Sequence, residues 1–182
     1  MSLENPEKYV TIYTDECSIY RRPILGQLWF PFGKKPKVFG GFRMNKAGRI
    51  IGGVNSVSGD LSFQIVKKTT VNELIKYYTM LPARYPKAEK IFVILDNWPV
   101  HFHDKIVKTI KKYPVIEFIP LPTYAPWLNK IERLWLYIKK KISNMHPYGD
   151  SLKLHLMAID SILKNLNNKN NFIIKYLGLY AV

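Results

Sequence analysis

The chain has 182 residues, 47% apolar, 14% aromatic and 23% charged, which is enough apolar matter for one domain with a sizeable core and excludes a disordered chain. Its 28 Lys and Arg against 13 Asp and Glu leave a net charge of +15, an excess that draws a protein to polyanions because each phosphate contact releases counterions from nucleic acid. No stretch reaches the roughly 18 uninterrupted apolar residues of a membrane span. The first residues (MSLENPEKY) lack a signal-peptide core and the single cysteine, Cys17, has no internal disulfide partner, so a cytoplasmic protein without a membrane partner is expected.

In chain order, Tyr9 to Glu16 (YVTIYTDE) is rich in β-branched and aromatic residues and reads as a strand ending in acids. Ile24 to Gly33 carries Gly, Pro and three aromatics and reads as an irregular ribbon. Within and beside it Trp29, Lys34 and Lys35 have the types that stack on bases and hold phosphate, although a packed ribbon edge explains the aromatics equally well. Strands are expected near Pro36 to Asn45 and Arg49 to Val57, joined by a hairpin turn at Lys46, Ala47 and Gly48, with a short strand around Leu61 to Val66 after the turn Ser58 to Asp60.

Thr70 with Glu73 forms a capping-box pattern ahead of VNELIKYYTML, whose apolar residues recur at helical spacing. Ile91 to Leu95 is five apolar residues in a row, the pattern of a strand buried on both faces. A helix over about Asp104 to Lys112, a strand at Val115 to Ile119 and the bend IPLPTYAP follow, then a long helix over about Trp127 to Asn144 and a last one over about Leu152 to Asn167. Antiparallel strands first and alternating helices and strands afterwards predict an α/β protein with a mixed central sheet and helices packed on it. A single domain over residues 1–182 is expected, with the Asn/Lys stretch at 167–171 as a loop.

Three acids stand out. If Tyr9 to Thr14 and Ile91 to Leu95 are parallel neighbours, Asp15 and Asp96 leave the sheet together at its C-terminal edge, where open α/β sheets keep their sites. On the long helix, Glu132 lies four residues after Leu128 and three before Trp135, so it points inward with the stripe Leu128, Ile131, Trp135, Ile138 and Ile142. Buried carboxylates are costly unless a cation holds them, and hard oxygen ligands suit Mg²⁺, with Mn²⁺ as a substitute. Two such ions can serve phosphodiester chemistry. Each acid alone has an ordinary role available as a cap or ion-pair partner. Glu16 is a local rival to Asp15, on the opposite face of the same strand. A zinc site of Cys17, His101 and His103 lacks paired ligand spacing.

These residues carry a resemblance. TDE around Asp15, LDNWPVH around Asp96 and LPTYAPWLNKIERLW around Glu132, with 35 residues between the last two acids, resemble the catalytic domain of mariner-like transposases and their insertion-sequence relatives in the DDE superfamily. The resemblance covers about Tyr9 to Lys141. It implies an RNase H-like fold with helices on both faces of the sheet. It implies Asp15, Asp96 and Glu132 as the catalytic metal ligands, holding two Mg²⁺ ions. Asn97, His101 and Asn129 would then orient the acids or contact DNA, and Arg133, Lys139 and Lys140 stand beside the third acid where they could hold phosphate. Lys130 replaces the proline common in the family before the Ile-Glu pair.

The implied activity is cleavage of the phosphodiester at a transposon end and attack of the freed 3′-hydroxyl on target DNA. The implied partners are both DNAs, a second copy in a homodimer and a separate helix-turn-helix half, since the first expected strand starts about ten residues from Met1; on DNA the protein would associate with the nucleoid. Two other readings use the same residues: a decayed remnant acting only as a basic DNA-binding module, and an unrelated RNase H-like nuclease.

Overall fold

The computed structural model describes residues 4–23, 32–34, 45–123, 125–143 and 146–179. Five strands form one sheet in the order β3-β2-β1-β4-β5, with β1 (Tyr9–Tyr20), β2 (Ala47–Asn55), β3 (Leu61–Val66), β4 (Lys90–Leu95) and β5 (Ile116–Pro120). The first three strands are antiparallel neighbours, while β4 runs parallel to β1 and β5 parallel to β4. The mixed sheet expected from the sequence is therefore present, with β1 at its centre.

Among the described residues five α-helices cover the two faces: α1 (Val71–Arg84), α2 (Asp104–Ile110), α3 (Ile131–Ile138), α4 (Leu152–Asn167) and α5 (Asn170–Leu177). Alternation along β1 sorts its side chains between them. Val10 and Ile12 join Leu74, Tyr77, Tyr78 and Leu81 of α1 and Ile106 of α2 in one core, together with Ile91, Val93 and Leu95 of β4. Cys17 and Ile19 join Ile131, Leu134, Trp135 and Ile138 of α3, with Ile159 and Leu163 of α4 and Ile173 of α5, in the other. Each apolar stripe has one face of the sheet to bury against, which is what makes a two-faced sheet with helices on both sides stable.

Several elements differ from expectation for physical reasons. β1 does not end in its acids: it continues to Tyr20, because β2 pairs with it as far as Tyr20↔Ala47 after β4 has stopped. Lys46, Ala47 and Gly48 make no hairpin turn, since Ala47 and Gly48 are already paired within β2. The strand expected at 36–45 falls almost wholly outside the described residues, as do Trp29 and Lys35. The long helix expected from Trp127 is divided into a 3-10 turn at Pro126–Leu128, α3, and a π turn at Lys139–Ser143. The loop expected at 167–171 is cut short at Asn170, where α5 begins because Ile173 and Leu177 bury against the α3 and α4 side. A Gly at φ 64 closes it, the left-handed conformation Gly178 adopts without strain.

Candidate active site

The acids are placed by the end of the parallel pairing. Tyr13 is paired with Ile94, so Asp15 and Asp96, each two residues further on, leave adjacent strands at the same level. The Thr14 hydroxyl donates to the Ile94 carbonyl at 3.0 Å and holds the two strands together just before they diverge. Glu132 arrives from the other side, in the first turn of α3. Asp15, Asp96 and Glu132 line one cavity of about 230 Å³, together with Asn97, Trp98, Thr123 and Asn129. Glu132 is exposed and faces this cleft, which corrects the expectation that it points inward with the apolar stripe. The stripe starts at Ile131, while Leu128 lies outside the helix and is 42% exposed. A carboxylate in the first turn of a helix also meets the favourable end of the helix dipole.

Asp15 is less exposed than the other two acids. The Trp135 indole Nε1–H donates to its Oδ2 at 2.9 Å. Burial, then the nearby Glu132 carboxylate and, more weakly, Asp96, push the Asp15 carboxyl up to about 7, against hydrogen bonds that favour its charged form. Such a shift records burial first and neighbouring negative charge second. The donor set is all hard oxygen, which fits Mg²⁺ or Mn²⁺ in kind. Among the described residues, however, no three His, Cys, Asp or Glu side chains stand in an arrangement ready to hold an ion. The three carboxylates share a cleft and would have to close on a metal.

Asn129 is buried, and its Nδ2–H donates to the Thr14 carbonyl at 2.9 Å, tying the entrance of α3 to the residue before Asp15. This contact ends an otherwise long span between two motifs and gives Asn129 an orienting place. Asn97 donates from Nδ2 to the Leu121 carbonyl at 2.6 Å, fixing the β4 exit against the chain leaving β5. Asp96 accepts from the Trp98 N–H at 3.1 Å, a local turn that sets its carboxylate.

His101 is buried beneath the acids. Its Nε2 stands 3.1 Å from Asp96 Oδ1 and 3.8 Å from Glu16 Oε2, and its Nδ1 pairs with the Tyr78 hydroxyl at 3.0 Å. Burial lowers its pKa despite the opposing pull of Asp96, so the ring is neutral near pH 7. A neutral ring that accepts from Tyr78 at Nδ1 carries its proton on Nε2, directed at Asp96. Tyr78, on α1, is a site residue that no sequence motif singles out. Its only signal there is an apolar position at helical spacing.

Asp15 and Glu16 take opposite faces, as the strand requires: Asp15 meets Trp135 of α3, Glu16 approaches His101 on the α1 side. Burial followed by repulsion from Asp15 and Asp96 pushes Glu16 up to about 8. Cys17 is buried in the α3-side core with its thiol pushed up to about 11, while His103 caps α2 by accepting from the Lys105 N–H, so those residues form no common site.

The basic residues near the third acid go elsewhere. Arg133 donates weakly to the Leu177 carbonyl at 3.4 Å and lies over the Tyr176 ring, and Lys141 lies over Tyr137. Neither Arg133, Lys139 nor Lys140 lines the cleft. Lys34 is exposed outside it. Trp127, where the long helix was expected to begin, is 73% exposed. A 3-10 turn in place of the first helical turn swings it outward.

Residues 10–155 match the family described as DDE superfamily endonuclease. A curated relative, an insertion element IS630 protein of 39 kDa from Shigella sonnei, is 28% identical over 153 residues, covering 84% of this chain and 43% of the relative. Among solved structures, the Mos1 mariner paired-end complex with Mg has a TM-score of 0.68 at 17% identity, covering 94% of this chain and 51% of that one. The catalytic domain of Mos1 mariner transposase has a TM-score of 0.58 at 15% identity, with 98% of this chain and 87% of that one covered. The likeness is one of fold, the RNase H-like fold. The chain thus spans about half the length of the curated relative and of the Mos1 protein in the paired-end complex.

Proposed function

The chain belongs to the DDE superfamily of endonucleases, and on that premise we propose that it is the catalytic part of a transposase that cuts and joins DNA strands at the ends of a mobile element. The observation that supports this is the meeting of Asp15, Asp96 and Glu132, from β1, the end of β4 and α3, in a single cleft. We assign these three as the catalytic, metal-holding acids. Complexes of the Mos1 transposase with Mg and with Mn exist, and the same divalent ions are proposed here. When bound, such ions supply positive charge to the attacking and leaving oxygens of an in-line displacement at phosphorus.

The chain's own groups then have separable duties. Asp15, held by Trp135, and Glu132, presented by the start of α3, both line the cleft. His101 fixes Asp96 from below through Nε2–H, with Tyr78 fixing the ring. Asn129 and Asn97 lock the backbone segments that carry the acids. Trp98 lines the cleft beside Asp96. Asn97, Asn129 and His101 are thereby assigned to orientation rather than to DNA contact.

The partners proposed are the element-end and target DNAs, a second copy of the chain and a helix-turn-helix region that recognises the ends. The relatives solved with DNA include a Mos1 paired-end complex with the left transposon end and a Mos1 strand transfer complex. Among the described residues no helix is long and apolar enough to cross a membrane, and the net charge of +15 suits residence on DNA.

The test is strand cleavage and joining of element-end DNA with Mg²⁺ or Mn²⁺, with the recognition half supplied. Asp15→Asn, Asp96→Asn and Glu132→Gln should each abolish it while the variants remain folded by circular dichroism. Full activity in Asp96→Asn would overturn the assignment.

A further inference from the structure

The acids stand between two depressions of different charge. The first is the cleft already described, whose lining contains the three acids and no Lys or Arg. The second, of about 650 Å³, opens on the opposite side of Asp15 and Asp96 and shares with the first only those two acids and Trp98. Its floor is the extension of β1 and β2 beyond the end of β4, where Ser18 is paired with Arg49. Its wall is the connection from β3 to α1, which supplies Lys67, Lys68 and Thr69.

The three cations of this groove are spare. Among the described residues none of Arg49, Lys67 and Lys68 is in an ion pair, although Asp15, Glu16 and Asp96 line the same depression. Lys67 and Lys68 are exposed. Arg49 differs: its Nη1 is buried and has no hydrogen-bond partner. A buried guanidinium nitrogen left without an acceptor is costly, and the deficit is removed by an anionic oxygen entering the groove. Hydroxyls of Ser18 and Thr69 line the same space and can donate to such an oxygen.

We propose that this groove is a second DNA subsite, in which Arg49, Lys67 and Lys68 hold the sugar-phosphate backbone on the far side of the reacting phosphate from Glu132. The proposal rests on the reading of the acidic cleft as a DNA phosphodiester site. A DNA strand continues on both sides of its reacting phosphate, so a strand lying in the first cleft over Asp15 and Asp96 runs on past them, and the groove opens from those two acids. The groove is the exit the fold provides. It begins at Asp15 and Asp96, has cations at phosphate-binding positions, and none of its cations is committed elsewhere. Its occupant is DNA backbone, from one of two sources: the flanking DNA beyond the cut, or the target strand.

The test uses the full chain with Lys67→Gln/Lys68→Gln, both exposed and therefore safe for folding, and separately Arg49→Gln. Binding is measured by fluorescence anisotropy across a salt series with three DNAs: an uncut element end with its flank, a pre-cut end without it, and a target duplex. The double variant should weaken binding of the DNA that occupies the groove by at least about 10-fold and flatten its log K against log salt slope by about 0.9 for each phosphate no longer engaged. Weakening confined to the uncut end identifies the flank as the occupant, and weakening confined to the target identifies the target strand. Affinity and salt slope unchanged for all three DNAs in both variants would overturn the groove. Mn²⁺ uptake by the unaltered chain, followed calorimetrically, reports separately on the acidic cleft: its absence would sink the metal-site reading while the salt slopes still decide the groove.

Discussion

The indole Nε1 of Trp135 donates to Oδ2 of Asp15 at 2.9 Å, joining side chains 120 residues apart. Trp135 lies one helical turn after Glu132, so the same short helix that presents one acid also fixes another. Trp135→Phe keeps most of the apolar packing and removes the donor. Loss of a group that orients a metal ligand typically costs about 10–100-fold in metal affinity, and that is the expected drop in Mn²⁺ affinity by calorimetry. The stability cost should be modest, about 1–2 kcal/mol. Unchanged metal affinity would reduce Trp135 to a core residue.

Gly52 pairs with Asp15 across β1 and β2, and a Cβ placed on it would stand 2.7 Å from Cη2 of Trp135. The strand needs a residue without a side chain here so that the indole can reach the carboxylate. Gly52→Ala should therefore push Trp135 away, with an overpacking cost of about 1–3 kcal/mol. Because the clash falls on the indole, Gly52→Ala combined with Trp135→Phe should cost less than the two changes summed, measured by denaturant unfolding. Strict additivity would contradict the contact.

Tyr78→Phe tests the support beneath Asp96. It deletes the hydroxyl that pairs with His101 Nδ1 and leaves the ring packing, including the tilted contact with Phe118, in place. A buried imidazole nitrogen without a partner costs about 1–3 kcal/mol, and the ring becomes free to adopt the other tautomer. DNA binding should be unchanged while the cleavage rate falls about 10-fold or more. A fall in binding with an unchanged rate would place Tyr78 in the structure rather than in the support of the site.

The rings of His146 and His155 lie with centroids 3.8 Å apart and planes tilted by 36°, both buried, His155 in the first turn of α4 and His146 ahead of that helix. Burial, then the neighbouring His155, lowers His146 from 6.5 to about 4, and burial lowers His155 as well. The sign follows from these directions. Below pH 6.5 the unfolded chain takes up protons that the folded chain refuses until about pH 4, so the stability from this pair is complete above 6.5 and declines as pH falls toward 4. The loss should be on the order of 1–3 kcal/mol, read as a falling Tm between pH 6.5 and 4. His146→Gln, whose amide oxygen can still accept from the Tyr148 N–H that now meets Nδ1, should flatten that decline. An identical pH profile in the variant would rule the pair out as its source.

Much of the fold could be read without coordinates, because periodicity and β-branched runs report local burial directly. The first part of β1, the burial of β4 on both faces and the approximate place of α1, α2 and α4 follow from such patterns, whereas helices on both faces of the sheet are what the family resemblance implies. What failed was local to places where tertiary contacts override propensity. β1 runs four residues past Glu16 because β2 is there to pair with it. The segment after Asn168 is helical because a core lies beneath Ile173 and Leu177. Pro126–Leu128 turns apart from α3, which leaves Trp127 in solvent.

The sequence by itself determined the motifs around Asp15, Asp96 and Glu132, since acid, asparagine and tryptophan spacings are written along the chain and need no geometry. It also determined the excess of positive charge. Only the tertiary structure decided that Trp135 serves Asp15, that Tyr78 sets His101 beneath Asp96, and that Arg49, Lys67 and Lys68 gather on the far side of the acids. Those relationships join residues from different strands and helices, and they arise from sheet register and helix docking, neither of which the spacing of residues along one chain encodes.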